Sequence, residues 1–239
     1  MGTIQIDRKN TLMVAHRGLS GLEKENTAAA FVAAGNRSYY GIETDVHRTR
    51  DGQFVVIHDG DTTRVAGETH LVGECTLEEL QSIRLKDRRT ALPRADLRIP
   101  TLAEYLSICK GYGKKCVLEL KDLFSREELE RIIGEIEAQE YLPEVIFISF
   151  HPQNMKLVRE ILPEQPAQQL CNDLTEETFD LIKTYRLNLD MQHIYVTQQI
   201  VDRVHAEGLL INCWTVNDPQ AAEALIEMGV DFITTNILE

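Results

Sequence analysis

Short apolar, β-branched runs recur along this chain, and longer stretches between them return an apolar residue every three or four positions. Runs at residues 11–15, 41–46, 115–121, 145–150, 167–170, 187–190, 209–216 and 232–235 read as buried strands. Helices are expected over about 26–36, 101–110, 125–139, 153–162, 176–185 and 197–207. Their boundaries are explicit. Thr76 with Glu79, Thr101 with Glu104 and Ser125 with Glu128 each supply the hydroxyl and carboxylate of a capping box. Gly208 stops one helix, and Asp218-Pro219 sets a cap before a proline at the first position of another. Strand–helix units at this spacing predict a parallel sheet with right-handed crossovers. Eight of them predict an α/β fold, the (β/α)8 TIM barrel. A doubly wound sheet would need a glycine-rich phosphate turn after its first strand, and the chain has His16-Arg17-Gly18 there. Residues 1–239 are expected to form a single domain.

The rhythm breaks after the second strand. Residues 41–59 carry two β-favouring runs around Asp51-Gly52, a strong hairpin signal. A two-residue turn there sets Asp45 opposite His58, with Cβ atoms about 5 Å apart. Glu43, two residues before Asp45, shares its face. Residues 60–98 are rich in turns, with one helix from Thr76, and are expected as an insertion at the C-terminal mouth of the barrel.

The active site of such a barrel lies at the C-terminal ends of its strands. Polar residues expected there are His16 and Arg17 after the first strand, Glu43 and Asp45 on the second, and His58 returned by the hairpin. Glu119 and Lys121 come from the third, and Trp214 with Asn217 from the seventh. Singly, each has an ordinary structural explanation; together they reach one rim from separate strands. Glu43, Asp45 and Glu119 are three hard oxygen ligands, a set suited to Mg²⁺ or Ca²⁺ rather than zinc. Arg17 and Lys121 suit phosphate oxygens. His16 and His58 titrate near neutrality and can divide acid and base roles. A divalent ion, two cations and two histidines meet the needs of phosphodiester cleavage.

Composition narrows the partners. The formal net charge is −13, so bulk charge disfavours nucleic acid and anionic membranes. Five cysteines, Cys75, Cys109, Cys116, Cys171 and Cys213, form no Cys-x-x-Cys pair and read as reduced thiols of a cytoplasmic protein. Residues 1–11 are polar, without a signal-peptide core, and no apolar run reaches membrane-spanning length. The expected partner is a small molecule, with no stable membrane association; oligomeric state leaves no trace in the sequence.

The chain resembles the glycerophosphodiester phosphodiesterase family of phospholipase-C-like barrels. The matching pieces are His16-Arg17-Gly18, Glu25-Asn26-Thr27, Glu43-Thr44-Asp45-Val46, Asp51-Gly52 followed by Val55-Val56-Ile57-His58-Asp59, Ile99-Pro100-Thr101-Leu102, Glu119-Leu120-Lys121, Ser149-Phe150 and Trp214-Thr215-Val216-Asn217. They keep the family's order and span nearly the whole chain. The resemblance implies His16 and His58 as the catalytic pair, Glu43, Asp45 and Glu119 as metal ligands, and Arg17 and Lys121 on phosphate. Trp214 is expected against the glycerol moiety or the core. Two positions depart from the family pattern: Lys24 stands where proline is usual, and Asn236 replaces an aspartate after the last strand. The implied reaction is metal-dependent hydrolysis of glycerophosphodiesters to sn-glycerol 3-phosphate and an alcohol. The alternatives are a lysophospholipase D on the same barrel and a non-catalytic metal or phosphate binder. Water-soluble, deacylated diesters are the expected substrates.

Overall fold

In the computed structural model, which describes residues 2–239, the strands and helices follow the order β1 (Leu12–Ala15), α1 (Ala28–Gly35), β2 (Gly41–Arg48), β3 (Phe54–Val56), α2 (Thr63–Ala66), α3 (Leu77–Ser82) and α4 (Leu102–Tyr112). Strict alternation then takes over: β4 (Lys115–Leu120), α5 (Arg126–Ala138), β5 (Val145–Ser149), α6 (Pro152–Ile161), β6 (Ala167–Cys171), α7 (Glu176–Tyr185), β7 (Asn188–Gln192), α8 (Gln198–Ala206), β8 (Ile211–Trp214), α9 (Pro219–Met228) and β9 (Phe232–Thr235). Eight strands, β1, β2 and β4 to β9, pair in parallel and close into a ring through β1–β2. This is the (β/α)8 barrel, with β3 lying outside it, antiparallel to β2.

The three capping boxes form as the sequence indicates. Thr76, Thr101 and Ser125 each accept from the backbone of the glutamate three residues on, whose side chain accepts from the cap's own N–H. Left-handed glycines Gly113 and Gly229 end α4 and α9. Every helix except α2 and α3 turns its apolar face inward, so a continuous hydrophobic layer separates these helices from the strands.

Strand register defines the lumen. Asp45 pairs with Glu119, Glu119 with Ile148, Leu170 with Asp190, and Gln192 with Trp214, and parallel partners point to the same side of a sheet. Val14, Val117, Ile146 and Phe232 fill the lumen lower down. Above them its lining becomes polar, and that polar layer is the floor of the site.

The hairpin corrects one expectation. Val46 pairs with Val56 and Arg48 with Phe54, so the residue opposite Asp45 is Ile57, whose N–H donates to the Asp45 carbonyl at 3.1 Å. Asp45 and His58 are therefore not cross-strand partners. The connection is a three-residue loop: Gly52 N donates to Thr49 O, Thr49 N donates to Gln53 O, and only Gly52 of the loop has positive φ, at 76°. A type I turn closed by a left-handed glycine shifts the register by one residue from a two-residue turn. His58 still reaches the mouth, because the chain leaves the ladder after Val56.

Residues 60–98 build a small apolar cluster of their own. Val65, Val72, Leu80, Leu85 and Leu97 close over Val55 and Ile57 of the hairpin. The expected helix from Thr76 is present, preceded by the single turn of α2 and a 3-10 turn at Val72–Glu74. After β9 the residues up to 239 descend the outside of the barrel rather than forming a helix. Leu238 is buried in the helix–strand layer, and Ile4 pairs beside it.

Candidate active site

The loop after β1 is shaped by its glycine. Arg17 and Gly18 both have positive φ, and a Cβ on Gly18 would lie 2.7 Å from the Ala30 carbonyl carbon. This sharp bend turns the Arg17 N–H onto the Glu43 Oε2, 2.7 Å away, and presents His16 and Arg17 to the lumen. Asn26 locks the bend from behind. Its N–H donates to the Arg17 carbonyl, its side-chain amide donates to Asp45 Oδ2 at 2.7 Å, and its Oδ1 accepts from Thr44.

Glu43, Asp45 and Glu119 converge in the lumen. One oxygen from each lies within 4.8 Å of the others, and all three residues are buried. Lys121 Nζ stands 3.0 Å from Glu119 and 3.5 Å from Asp45, while Arg17 Nε stands 3.6 Å from Asp45. His16 Nε2 is 4.0 Å from Glu43. His16, Arg17, Glu43, His58, Glu119 and Trp214 all line one cavity of about 90 Å³. Lys121 and Asp45 sit just behind that lining. A larger surface hollow, about 510 Å³, lies against the insertion, but its carboxylates, Glu68, Glu74 and Glu79, are exposed and do not form a buried cluster.

Burial and then the neighbouring Asp45 charge push Glu43 well above the ordinary carboxylate range, and the same two causes raise Glu119. Burial also opposes ionisation of Asp45, but Arg17, Lys121 and His58 outweigh it and hold its pKa low. Asp45 Oδ1 is buried without a hydrogen-bond partner. Three carboxylates crowded in a buried part of the lumen, one with an unsatisfied oxygen, suit a hard divalent cation.

Each histidine has its own support. His16 Nδ1 lies 2.7 Å from the amide oxygen of Asn236, and His58 Nδ1 lies 2.7 Å from the carboxylate of Asp59. Burial and then Arg17 lower His16 to about 4, and burial also lowers His58. Behind both arms stands Arg64 from α2. It donates to Asp59 at 2.6 Å and, through two nitrogens, to Glu25, which also accepts from Arg17. Trp214 meets Phe150 edge to face at 5.6 Å between centroids, and its indole N–H points to the Asp190 carbonyl.

All nine residues singled out from the sequence thus gather at one mouth, with Asn217 at the rim beside His16 and Arg17. Sequence reasoning named no role for Asn26, Glu25, Arg64, Asp59 or Asp190. Four of these act through pairings distant in sequence, or through a loop whose path no pattern discloses. Asp190 carried a usable signal: it is an acidic residue at the end of the expected run 187–190, although β7 continues to Gln192 and leaves it mid-strand.

Residues 16–239 match the family model of the glycerophosphoryl diester phosphodiesterase family. A glycerophosphodiester phosphodiesterase of Caldanaerobacter subterraneus subsp. tengcongensis is 30% identical, over 95% of this chain and 94% of its own. Among solved structures, an Oleispira antarctica phosphodiesterase in complex with the product sn-glycerol-3-phosphate superposes with a TM-score of 0.86 at 25% identity, covering 94% of this chain and 92% of that one. A glycerophosphodiester phosphodiesterase from Parabacteroides distasonis does so with a TM-score of 0.78 at 28% identity, covering 95% and 93%.

Proposed function

This chain belongs to the glycerophosphoryl diester phosphodiesterase family, and from that premise we propose how its residues hydrolyse glycerophosphodiesters to sn-glycerol 3-phosphate and an alcohol. The observation that carries the proposal is the meeting of three buried carboxylates, two histidines and Arg17 around one cavity, with Lys121 bridging two of the carboxylates. In this reading Glu43, Asp45 and Glu119 hold a divalent cation, Mg²⁺ or Ca²⁺. When bound, it supplies Lewis-acid stabilisation of charge on the phosphoryl oxygens. Arg17 and Lys121 orient the phosphate, and Trp214 with Phe150 walls the organic end of the cavity.

The partners behind the histidines divide their roles. Asn236 presents an uncharged acceptor to Nδ1 of His16, which leaves Nε2 free to take a proton from the attacking oxygen. Asp59 presents a carboxylate to Nδ1 of His58 and stabilises the imidazolium, the form that can protonate the leaving alkoxide. Residues 1–239 act as one domain, because Arg64 of the insertion is tied to both arms of the site. No helix among the described residues is long and apolar enough to cross a membrane. With five unpaired cysteines and a charge of −13, the protein is assigned to the cytoplasm. The test is product formation from glycerophosphocholine. Glycerol 3-phosphate and choline should appear, disappear with chelator and return with Mg²⁺ or Ca²⁺; full turnover in excess chelator would sink the ligand set.

A second reading, cleavage of lysophospholipids, is favoured by one feature. Leu123, Phe150, Ile194 and Tyr195 follow β4, β5 and β7 at the mouth and are exposed. The acidic surface and the small cavity favour the soluble diester. Initial rates on glycerophosphocholine and lysophosphatidylcholine separate the two, and faster cleavage of the lipid would reverse the order.

A further inference from the structure

Below the phosphate-facing groups, the cavity ends against Asp190 of β7. Strand register places this side chain on the lumen face between Leu170 and Asn212. The uncharged part of the cavity wall is mostly apolar, with Ile148, Phe150, Leu170 and Trp214 beside the hydroxyl residues Thr215 and Thr234. Asp190 is about 1% exposed, and its Oδ1 has no hydrogen-bond partner. Its one polar neighbour of note is Asn212, whose amide is also engaged by Gln168 and Thr234. Among the described residues no cation is paired with it, unlike Asp45 and Glu119 in the same lumen. A buried polar atom left without a partner forfeits the hydrogen bond it made to water in the unfolded chain. A side chain with that cost, lining the organic end of a substrate cavity, is suited to a ligand that brings its own hydroxyl.

We propose that Asp190 is a specificity-determining residue that hydrogen-bonds a hydroxyl of the glycerol moiety, so that the enzyme reads a polyol rather than any alkyl phosphodiester. This rests on the phosphodiesterase reading above and goes beyond it, since it assigns the organic half of the substrate to a residue outside the metal, phosphate and histidine set. The protonation state fits a neutral partner. Burial, then the charge of Glu119, pushes the Asp190 carboxyl well above its ordinary range, so it can donate as well as accept. A hydroxyl has both capacities and no charge, whereas an ammonium or a second phosphate matches neither the neutral acid nor the apolar wall. Sites built to bond a substrate hydroxyl discriminate strongly against analogues that lack it, because the pocket's polar atom is then left bare.

The experiment pairs substrate and enzyme changes. Metal-loaded wild type, Asp190→Ala and Asp190→Leu are assayed on glycerophosphocholine and on its two monodeoxy analogues, each with one glycerol hydroxyl replaced by hydrogen. Wild type should prefer glycerophosphocholine over at least one analogue by more than about a hundredfold in kcat/KM, beyond what a merely apolar pocket achieves and toward the roughly 10⁴–10⁵ of sites built to bond a substrate hydroxyl. In the alanine variant that preference should shrink at least tenfold. A purely structural role would slow all three substrates together and leave the preference intact, which overturns the proposal. So does equal cleavage of all three by the wild type, a result that needs no variant. Should Asp190→Ala fail to fold, Asp190→Leu fills the same space without polar atoms and must lose the preference likewise. Failure of the wild type to cleave any diester sinks the phosphodiesterase reading and this inference with it. Turnover without hydroxyl preference sinks the inference alone.

Discussion

His16 and His58 face the same cavity with different groups behind them, a neutral amide for one and a carboxylate for the other. Removing either ring should cost about 10²–10⁴ in kcat on glycerophosphocholine while leaving the melting temperature nearly unchanged. The double variant should lose less than the product of the two single losses, because both act in one reaction. Near-normal turnover in either single variant would refute the pairing. His16 also predicts a stability profile. Its folded-state pKa, about 4, lies below the ordinary 6.5. Between these values the unfolded chain takes up a proton that the folded chain refuses, so stability falls as pH drops through the window. From pH 7 to pH 5 the wild type should lose about 2 kcal/mol more than His16→Gln, read by urea unfolding in chelator. Parallel profiles for the two proteins would show that His16 takes its proton as readily in the fold as out of it.

The least expected element is α2, a single turn in the insertion whose one long side chain braces the arms that carry Arg17 and His58. Arg64 is partly exposed and touches no substrate-facing atom, yet it joins Asp59, behind His58, to Glu25, behind Arg17. Arg64→Met should lower kcat on glycerophosphocholine by about tenfold to a hundredfold, the range for displacements of catalytic groups near 1 Å. Its melting temperature should change little, because the insertion's apolar cluster is untouched. An unchanged kcat would show that the two arms hold themselves. The elements differ in how far they could be read in advance. Helix starts were legible to the residue because a capping box is local: the same few atoms that make the signal make the cap. The site's carboxylates were legible because strand parity fixes the face of Glu43, Asp45 and Glu119. The hairpin register was not, since Asp-Gly serves both two- and three-residue loops, and the Thr49–Gln53 pairing decides between them. The pairings of Arg64 and Asn236 were illegible for another reason, although Asn236 itself stood out as a departure from the family pattern. The partners lie 39 and 220 residues away, and no spacing encodes such a meeting.

For the molecule as a whole, function depends on a ring of strands whose first member is also the partner of its last. β1 pairs with β9 through four residue pairs and with β2 through two. The first contact joins segments some 220 residues apart, as does the bond between His16 and Asn236 directly above it. Closing a loop of that length contributes its entropic cost before any native contact offsets it, and pairings at such separation form slowly. Most of the ring, β4 to β9, can assemble from neighbouring strand–helix units, but the mouth is complete only when the two ends of the barrel join. On dilution from denaturant, far-UV ellipticity should therefore recover in an earlier phase than turnover of glycerophosphocholine, and a fluorophore pair on exposed positions flanking β1 and β9 should come together in step with activity. Simultaneous recovery of all three signals would show closure to be early. On that order of events catalysis is the last property the chain acquires: a partly folded copy would carry most of the barrel's helix and strand before it could cut phosphodiesters.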